Sequence, residues 1–313
     1  MRTVALVALA VFVAISGFFA PKLGINTYYF YAGYVVLQYV TIATAWNVLG
    51  GYGGYINFGA AAFFGAGAYT AAVLFKLFGV PLPLQILAAA AIGVALGVAM
   101  GYLTLRVQGV YFAIATLGLV VVLETIVHNV ETFGGARGLT ILAPRAPDWF
   151  GGQTPYVFFV MLLIAIASVA IAVWIEHSWI GRGLRAIRAS ENAAECSGVP
   201  TLRLKLVACA VSGGLLAAAG APYGFYASFL EPGTAFSLAV GLNAIAMPLI
   251  GGTRSWLGPV LGAILLGSVQ QITTVTISSE LNILVVGLVL IAFVAAAPGG
   301  LLGLWPASRG AAR

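Results

Sequence analysis

Glu124 and His128 stand four residues apart in the otherwise apolar run Val110–Val130, on one face of any helix that forms there. A carboxylate and an imidazole so placed can relay a proton. An ionisable group inside a bilayer is also costly enough to suggest a function. The pair falls near one end of its run, where both groups can instead meet water, so a relay and an interfacial pair both stay open. No other residues suggest covalent or metal chemistry. Cys196 and Cys209 lack metal-ligand spacing, and His128 and His177 are too far apart for a metal pair. Glu231 and Glu280 read as outer span ends. Neither a nucleophile–base cluster nor a phosphate-binding loop is present. The chain is therefore read as no enzyme, with no metal or cofactor; any ATP it uses must be bound by another chain.

A second kind of function lies in the longest polar stretch, residues 177–205 (HSWIGRGLRAIRASENAAECSGVPTLRLK). Arg182, Arg185 and Arg188 recur every three positions and predict one basic helical face near lipid headgroups. Ser190 can cap a helix starting at Glu191, whose charge suits the positive end of the helix dipole. Gly198 can end that helix in the left-handed conformation, and Pro200 prevents its continuation. About two turns result, too few to persist alone in water. The spacing predicts that Ala193, Ala194 and Val199 are exposed beside Glu195. Such a knob suits insertion into a partner's groove, although a helix lying passively on a bundle has the same pattern.

Two glycine-rich segments interrupt the helical pattern. Gly50–Gly67 (GGYGGYINFGAAAFFGAG) holds seven glycines, with Tyr55, Asn57, Phe58, Phe63 and Phe64 as candidate pathway residues. Gly251–Gly262 (GGTRSWLGPVLG) adds Arg254 and Pro259. Backbone freed from a helix in a bilayer survives where protein or a water-filled cavity satisfies it, and paired interruptions often mark a substrate path. Close helix packing is the competing explanation for the same glycines.

The elements that must position these residues follow from composition. Of 313 residues, 62% are apolar and 7% charged, with 40 glycines and 13 prolines. So few charges cannot cover that much apolar surface in water. The expectation is an all-α polytopic membrane protein, a single transmembrane domain over 1–313. A span needs about 20 mostly apolar residues. The sequence predicts ten spans: 4–20, 28–49, 56–75, 84–105, 110–130, 156–176, 206–230, 235–252, 256–277 and 281–297. The first is read as an uncleaved span rather than a signal peptide. With both termini cytoplasmic, Arg2, Arg106, Arg182, Arg185, Arg188, Arg203, Lys205, Arg254, Arg309 and Arg313 fall inside. Lys76, Lys22, Arg137 and Arg145 fall outside, which is the positive-inside asymmetry. The net charge of +6 is thus read as a topology signal, not a nucleic-acid footprint.

Four segments together resemble the LivM branch of the branched-chain amino acid ABC transporter permeases. They are NVLGGYGGYINFGAAAFFGAGAYTAA (Asn47–Ala72), RVQGVYFAIATLGLVVVLE (Arg106–Glu124), GRGLRAIRASENAAECSGVPTLRLK (Gly181–Lys205) and GGTRSWLGPVLGA (Gly251–Ala263). The resemblance implies a bacterial inner-membrane permease in an ATP-driven importer. Its expected partners are a LivH-like sister permease, two cytoplasmic ATP-binding subunits and a periplasmic solute-binding protein, with membrane lipid around the chain itself. It also implies that the loop 181–205 carries an ATPase-coupling helix, borne by Ala193, Ala194, Glu195, Gly198 and Val199. Branched-chain amino acids are the name-giving solutes; relatives carry urea, short amides and aromatic acids. A proton-coupled transporter working through Glu124 and His128 is the alternative that needs no partner.

Overall fold

The computed structural model describes residues 27–104, 110–141 and 152–276, together with 284, 287–288, 290–292 and 299–304. Twelve α-helices form among the described residues. In order they are α1 (Thr27–Asn47), α2 (Ala60–Phe78), α3 (Leu82–Thr104), α4 (Val110–Asn129), α5 (Gln153–His177), α6 (Trp179–Ala189), α7 (Glu191–Cys196), α8 (Thr201–Gly220), α9 (Tyr223–Ala227), α10 (Pro232–Ala235), α11 (Leu238–Gly251) and α12 (Leu257–Thr276). Backbone that must satisfy its own polar groups in hydrocarbon has few alternatives to the helix. Among the described residues, eight segments are long and apolar enough to cross a membrane: Thr27–Tyr52, Ala60–Phe78, Leu82–Leu103, Tyr111–Asn129, Gln153–His177, Thr201–Ala227, Pro232–Gly251 and Leu257–Thr274. They correspond one for one to the eight middle spans expected from the sequence. The expected span 4–20, most of 281–297, and Glu280 lie outside the described residues.

Helices α1 and α8 form the centre. The first packs against α5, α8, α11 and α12, and the second against α2 and, most extensively, α3. Small residues make the α3–α8 approach possible. A Cβ on Gly93 would lie 2.4 Å from the Gly213 carbonyl oxygen, and one on Gly97 would lie 2.5 Å from that of Cys209. Between lipid-embedded helices, where hydrophobic burial supplies little drive, such close backbone approach supplies the van der Waals contact. Large apolar side chains such as Leu87, Leu103, Tyr111 and Ile114 face outward from α3 and α4, as lipid-facing surfaces should.

Contacts sort the connecting segments into two ends. At one end the segment 48–52 that follows α1, the end of α5, α6 and α7, the start of α8 and the turn after α11 come together. At the other, β1 (Leu139–Thr140) pairs antiparallel with β2 (Phe229–Leu230), Phe30 meets Phe158, and Tyr31 stacks on Tyr226. Lys76 lies by this second end, lining a cavity with Leu139, Thr140 and Ile141.

Candidate coupling helix and pathway break

The polar stretch folds as two short helices across the first end of the bundle. In α6, Ile180, Leu184 and Ile187 are buried, which presses one face onto the spans and turns the arginines outward. The headgroup-facing basic surface needs correction in one respect, because the guanidiniums are engaged. Arg182 donates to the His177 carbonyl at 3.3 Å and Arg185 to that of Glu176 at 3.1 Å, capping the unsatisfied end of α5. Arg188 donates to the Gly51 carbonyl and, at 3.4 Å, to the Thr253 hydroxyl. Burial and the neighbouring Arg254 charge lower its pKa from the ordinary value.

Ser190 then caps α7 by accepting from the Ala193 N–H at 3.3 Å. Gly198 ends the helix at φ +79°, and the Val199 N–H bonds back to the Ala194 carbonyl at 3.0 Å. The expected exposed face is only partly right. Ala193, Glu195 and Gly198 are exposed, but Ala194 is buried and Val199 half-buried. A two-turn helix must rest one side on the protein, and Ala194 lies on that side. Glu195 accepts from the Thr201 hydroxyl at 2.5 Å, tying the helix to the start of α8. The outward face therefore runs through Asn192, Ala193, Glu195, Cys196 and Ser197.

Beneath α7 the glycine-rich segment is broken, not continuous helix. Val48–Tyr52 is a single π-helical turn, and residues 54–58 run without helix before α2 begins at Ala60. Gly54 has φ +78°, and a Cβ there would meet Arg188 Cγ at 2.9 Å, so both conformation and space favour glycine. The freed backbone is satisfied by side chains. Trp46 Nε1 donates to the Asn57 carbonyl at 2.7 Å, the Phe58 N–H donates to Thr116 Oγ1 at 3.1 Å, and the Gly59 N–H donates to Asn57 Oδ1 at 2.7 Å. Of the candidate pathway residues, Tyr55 and Asn57 are buried in this break and Phe58 is half-buried. Phe63 and Phe64 lie deeper, packed in the core of the chain. A Cβ on Gly213 would lie 2.9 Å from the Phe63 ring, and Phe64 meets Tyr223 edge-on. Ile56 is the large side chain that this segment exposes.

The second glycine-rich segment is a tight turn between α11 and α12. A Cβ on Gly251 would fall 1.7 Å from the Gly258 carbonyl oxygen, and one on Gly262 1.9 Å from that of Met247. Close packing accounts for these glycines. Glu124 is half-exposed and His128 exposed on α4, with no ion pair between them among the described residues.

Three residues connect these parts: Glu191 and Lys205, expected only as a helix-dipole charge and a topology charge, and Glu176, for which the sequence suggested no role. Glu191 accepts from the Tyr55 hydroxyl and pairs with Lys205, which is itself buried. Glu176 accepts from the Tyr52 hydroxyl at 3.0 Å and the Trp256 N–H at 2.7 Å. Burial alone would raise the Glu191 carboxyl; hydrogen bonds from Lys205 and Tyr55 and the lysine charge outweigh it and hold the group below the usual carboxylate range. The only prior signal was a pair of charges beside a predicted span end.

A bundle of membrane-length helices, closed at one end by a capped surface helix that is wired to a helix break, defines an all-α polytopic membrane protein. Within that class the chain belongs to the branched-chain amino acid transport system permease component family, whose model matches residues 28–294. It is similar to the high-affinity branched-chain amino acid permease protein LivM of Salmonella typhimurium and of Escherichia coli K12. With each it is 26% identical over 257 residues, 74% of this chain and 60% of the relative. It is also 23% identical to LivH of Salmonella typhimurium, over 85% of this chain and 91% of that protein. The chain thus spans about 60% of the length of the LivM relatives it matches. No solved structure matches it.

Proposed function

We propose that the chain is a LivM-like permease subunit of an ATP-driven importer in a bacterial inner membrane, carrying branched-chain or similarly hydrophobic amino acids. The observation that carries this reading is α7. It is a two-turn helix outside the membrane spans, with Ala193, Glu195, Cys196 and Ser197 exposed and its other side tied to the helix break. A surface helix with so small an exposed face is suited to a partner's groove. The resemblance makes that partner one of two cytoplasmic ATP-binding subunits. The termini and the α6–α7 end are then cytoplasmic, in keeping with Arg182, Arg185, Arg188 and Arg254 gathered there.

In this reading a LivH-like sister permease completes the pathway and a periplasmic binding protein delivers solute. Closure of the ATP-binding subunits moves α7, and the permease halves rock in response. The break at 54–58 lies next to the moving helix, and its exposed Ile56 offers an apolar contact to a hydrophobic side chain. A pathway wall of this kind holds solute weakly and leaves affinity to the binding protein. Mild-detergent purification followed by mass spectrometry tests the assembly. A second permease and ATP-binding chains should accompany this one, and solute-loaded binding protein should stimulate their hydrolysis. A chain that purifies alone, with uptake abolished by Glu124→Gln and indifferent to ATP, would instead establish the proton-coupled alternative.

A further inference from the structure

Tyr55, Glu191 and Lys205 come from the break, α7 and the first turns of α8, and each touches the other two. The Tyr55 hydroxyl and the Lys205 ammonium both donate to the Glu191 carboxylate, and the ammonium lies 5.0 Å from the centre of the Tyr55 ring. Resting on the assignment of α7 as the coupling helix, we propose that these three are positioning residues that carry displacement of α7 into residues 54–58.

The charges make the connection stiff. Glu191–Lys205 is the one ion pair among the described residues, and the lysine is 2% exposed. Parting the pair leaves the buried Lys205 ammonium without its counter-charge, so α7 and the start of α8 move together, with the tyrosine attached. The backbone on either side of Tyr55 is by contrast built to yield. The π-helical turn Val48–Tyr52 and then Gly53 and Gly54 precede it, and Gly59 follows.

Both ends of the yielding segment are anchored elsewhere. Arg188 holds its start, at the Gly51 carbonyl, to Thr253 in the turn after α11. Its far end is held by Trp46 and Thr116. A push on α7 therefore enters between two fixed points and must be taken up by rotation within 54–58, where Ile56 is the exposed side chain. Neither tie alone would do this; the combination of a stiff handle, two anchors and glycine hinges does.

The test uses the assembled complex in proteoliposomes, with Cys196→Ser removing the exposed native thiol and Ile56→Cys as reporter. Maleimide labelling of the reporter is measured with and without ATP and vanadate, beside uptake of labelled leucine. In the otherwise unaltered complex, nucleotide should change the labelling rate. Tyr55→Phe keeps the ring and removes the tie. It should shrink that change by roughly tenfold, equivalent to about 1.4 kcal/mol of coupling, while subunit content and hydrolysis persist. Glu191→Gln should act in the same direction, and Tyr111→Phe on the exposed face of α4 should have no effect. A nucleotide response that survives Tyr55→Phe would overturn the proposal, as would loss of ATP-binding subunits on that substitution, which would make Tyr55 a docking residue. Failure of leucine uptake with the nucleotide response intact would count against the solute, not the transmission.

Discussion

The indole Nε1 of Trp46 donates to the carbonyl oxygen of Asn57 at 2.7 Å, so the last turns of α1 satisfy the backbone of the break that follows them. Both residues are buried. Trp46→Phe fills much of the same space but orphans that carbonyl, which should cost roughly 1–3 kcal/mol. The apparent melting temperature in detergent should fall by several degrees. An unchanged value would mean that water serves the carbonyl instead.

Glycines on the spans divide by what faces them. A Cβ on Gly67 would lie 2.0 Å from the Ala217 carbonyl oxygen, whereas one on Gly118 meets nothing within 4 Å. Gly67→Ala should separate α2 from α8 and reduce folded yield sharply. Gly118→Ala should be neutral or stabilise by up to about 1 kcal/mol, since alanine is the better helix former. Yield on size-exclusion chromatography distinguishes them; equal yields would refute the packing role assigned to Gly67.

Cys196 is exposed on α7 and Cys209 buried in α8. A membrane-impermeant maleimide should modify Cys196 alone, and faster in inside-out than in right-side-out vesicles. Bound ATP-binding subunits should slow the modification at least several-fold. Labelling from the other side of the membrane would invert the topology.

The Glu191 carboxyl is held below its ordinary value, so its tie contributes stability above the unfolded-state pKa of about 4.3 and loses it as pH falls through the folded value. The difference in melting temperature between the native chain and Glu191→Gln should be full at neutral pH and shrink below about pH 4. A difference that is constant with pH would remove the charge from the explanation.

Unpairing should be worse than removing the pair. Glu191→Ala leaves the Lys205 ammonium buried without its partner, at a cost of roughly 3–5 kcal/mol. The double substitution Glu191→Ala with Lys205→Met should recover part of that stability while leaving transmission broken. Additive losses in a double-mutant cycle would show that the two side chains act independently.

What was legible along the chain was local. The cap at Ser190 and the stop at Gly198 and Pro200 depend on residues within one or two turns, and both form as the spacing predicts. The eight described spans likewise follow from runs of apolar residues, because transfer into lipid is decided segment by segment. Ala194 was misjudged since a short helix does not reveal which side rests on its neighbours. The arginines of α6 share an outward face as expected, yet their guanidiniums cap carbonyls at the end of α5 and on Gly51.

The sequence by itself determined that this chain lies in a membrane as helices, roughly where the described spans fall, and that a capped helix stands outside them. Each of these is set by free energies summed over neighbouring residues. Only the tertiary structure decided that Tyr55 meets Glu191, 136 positions away, that Arg188 joins Gly51 to Thr253, and which glycines pack and which bend. Those outcomes depend on how separate helices cross, and crossing is set by side-chain fit between segments that carry no mark of one another in the linear order.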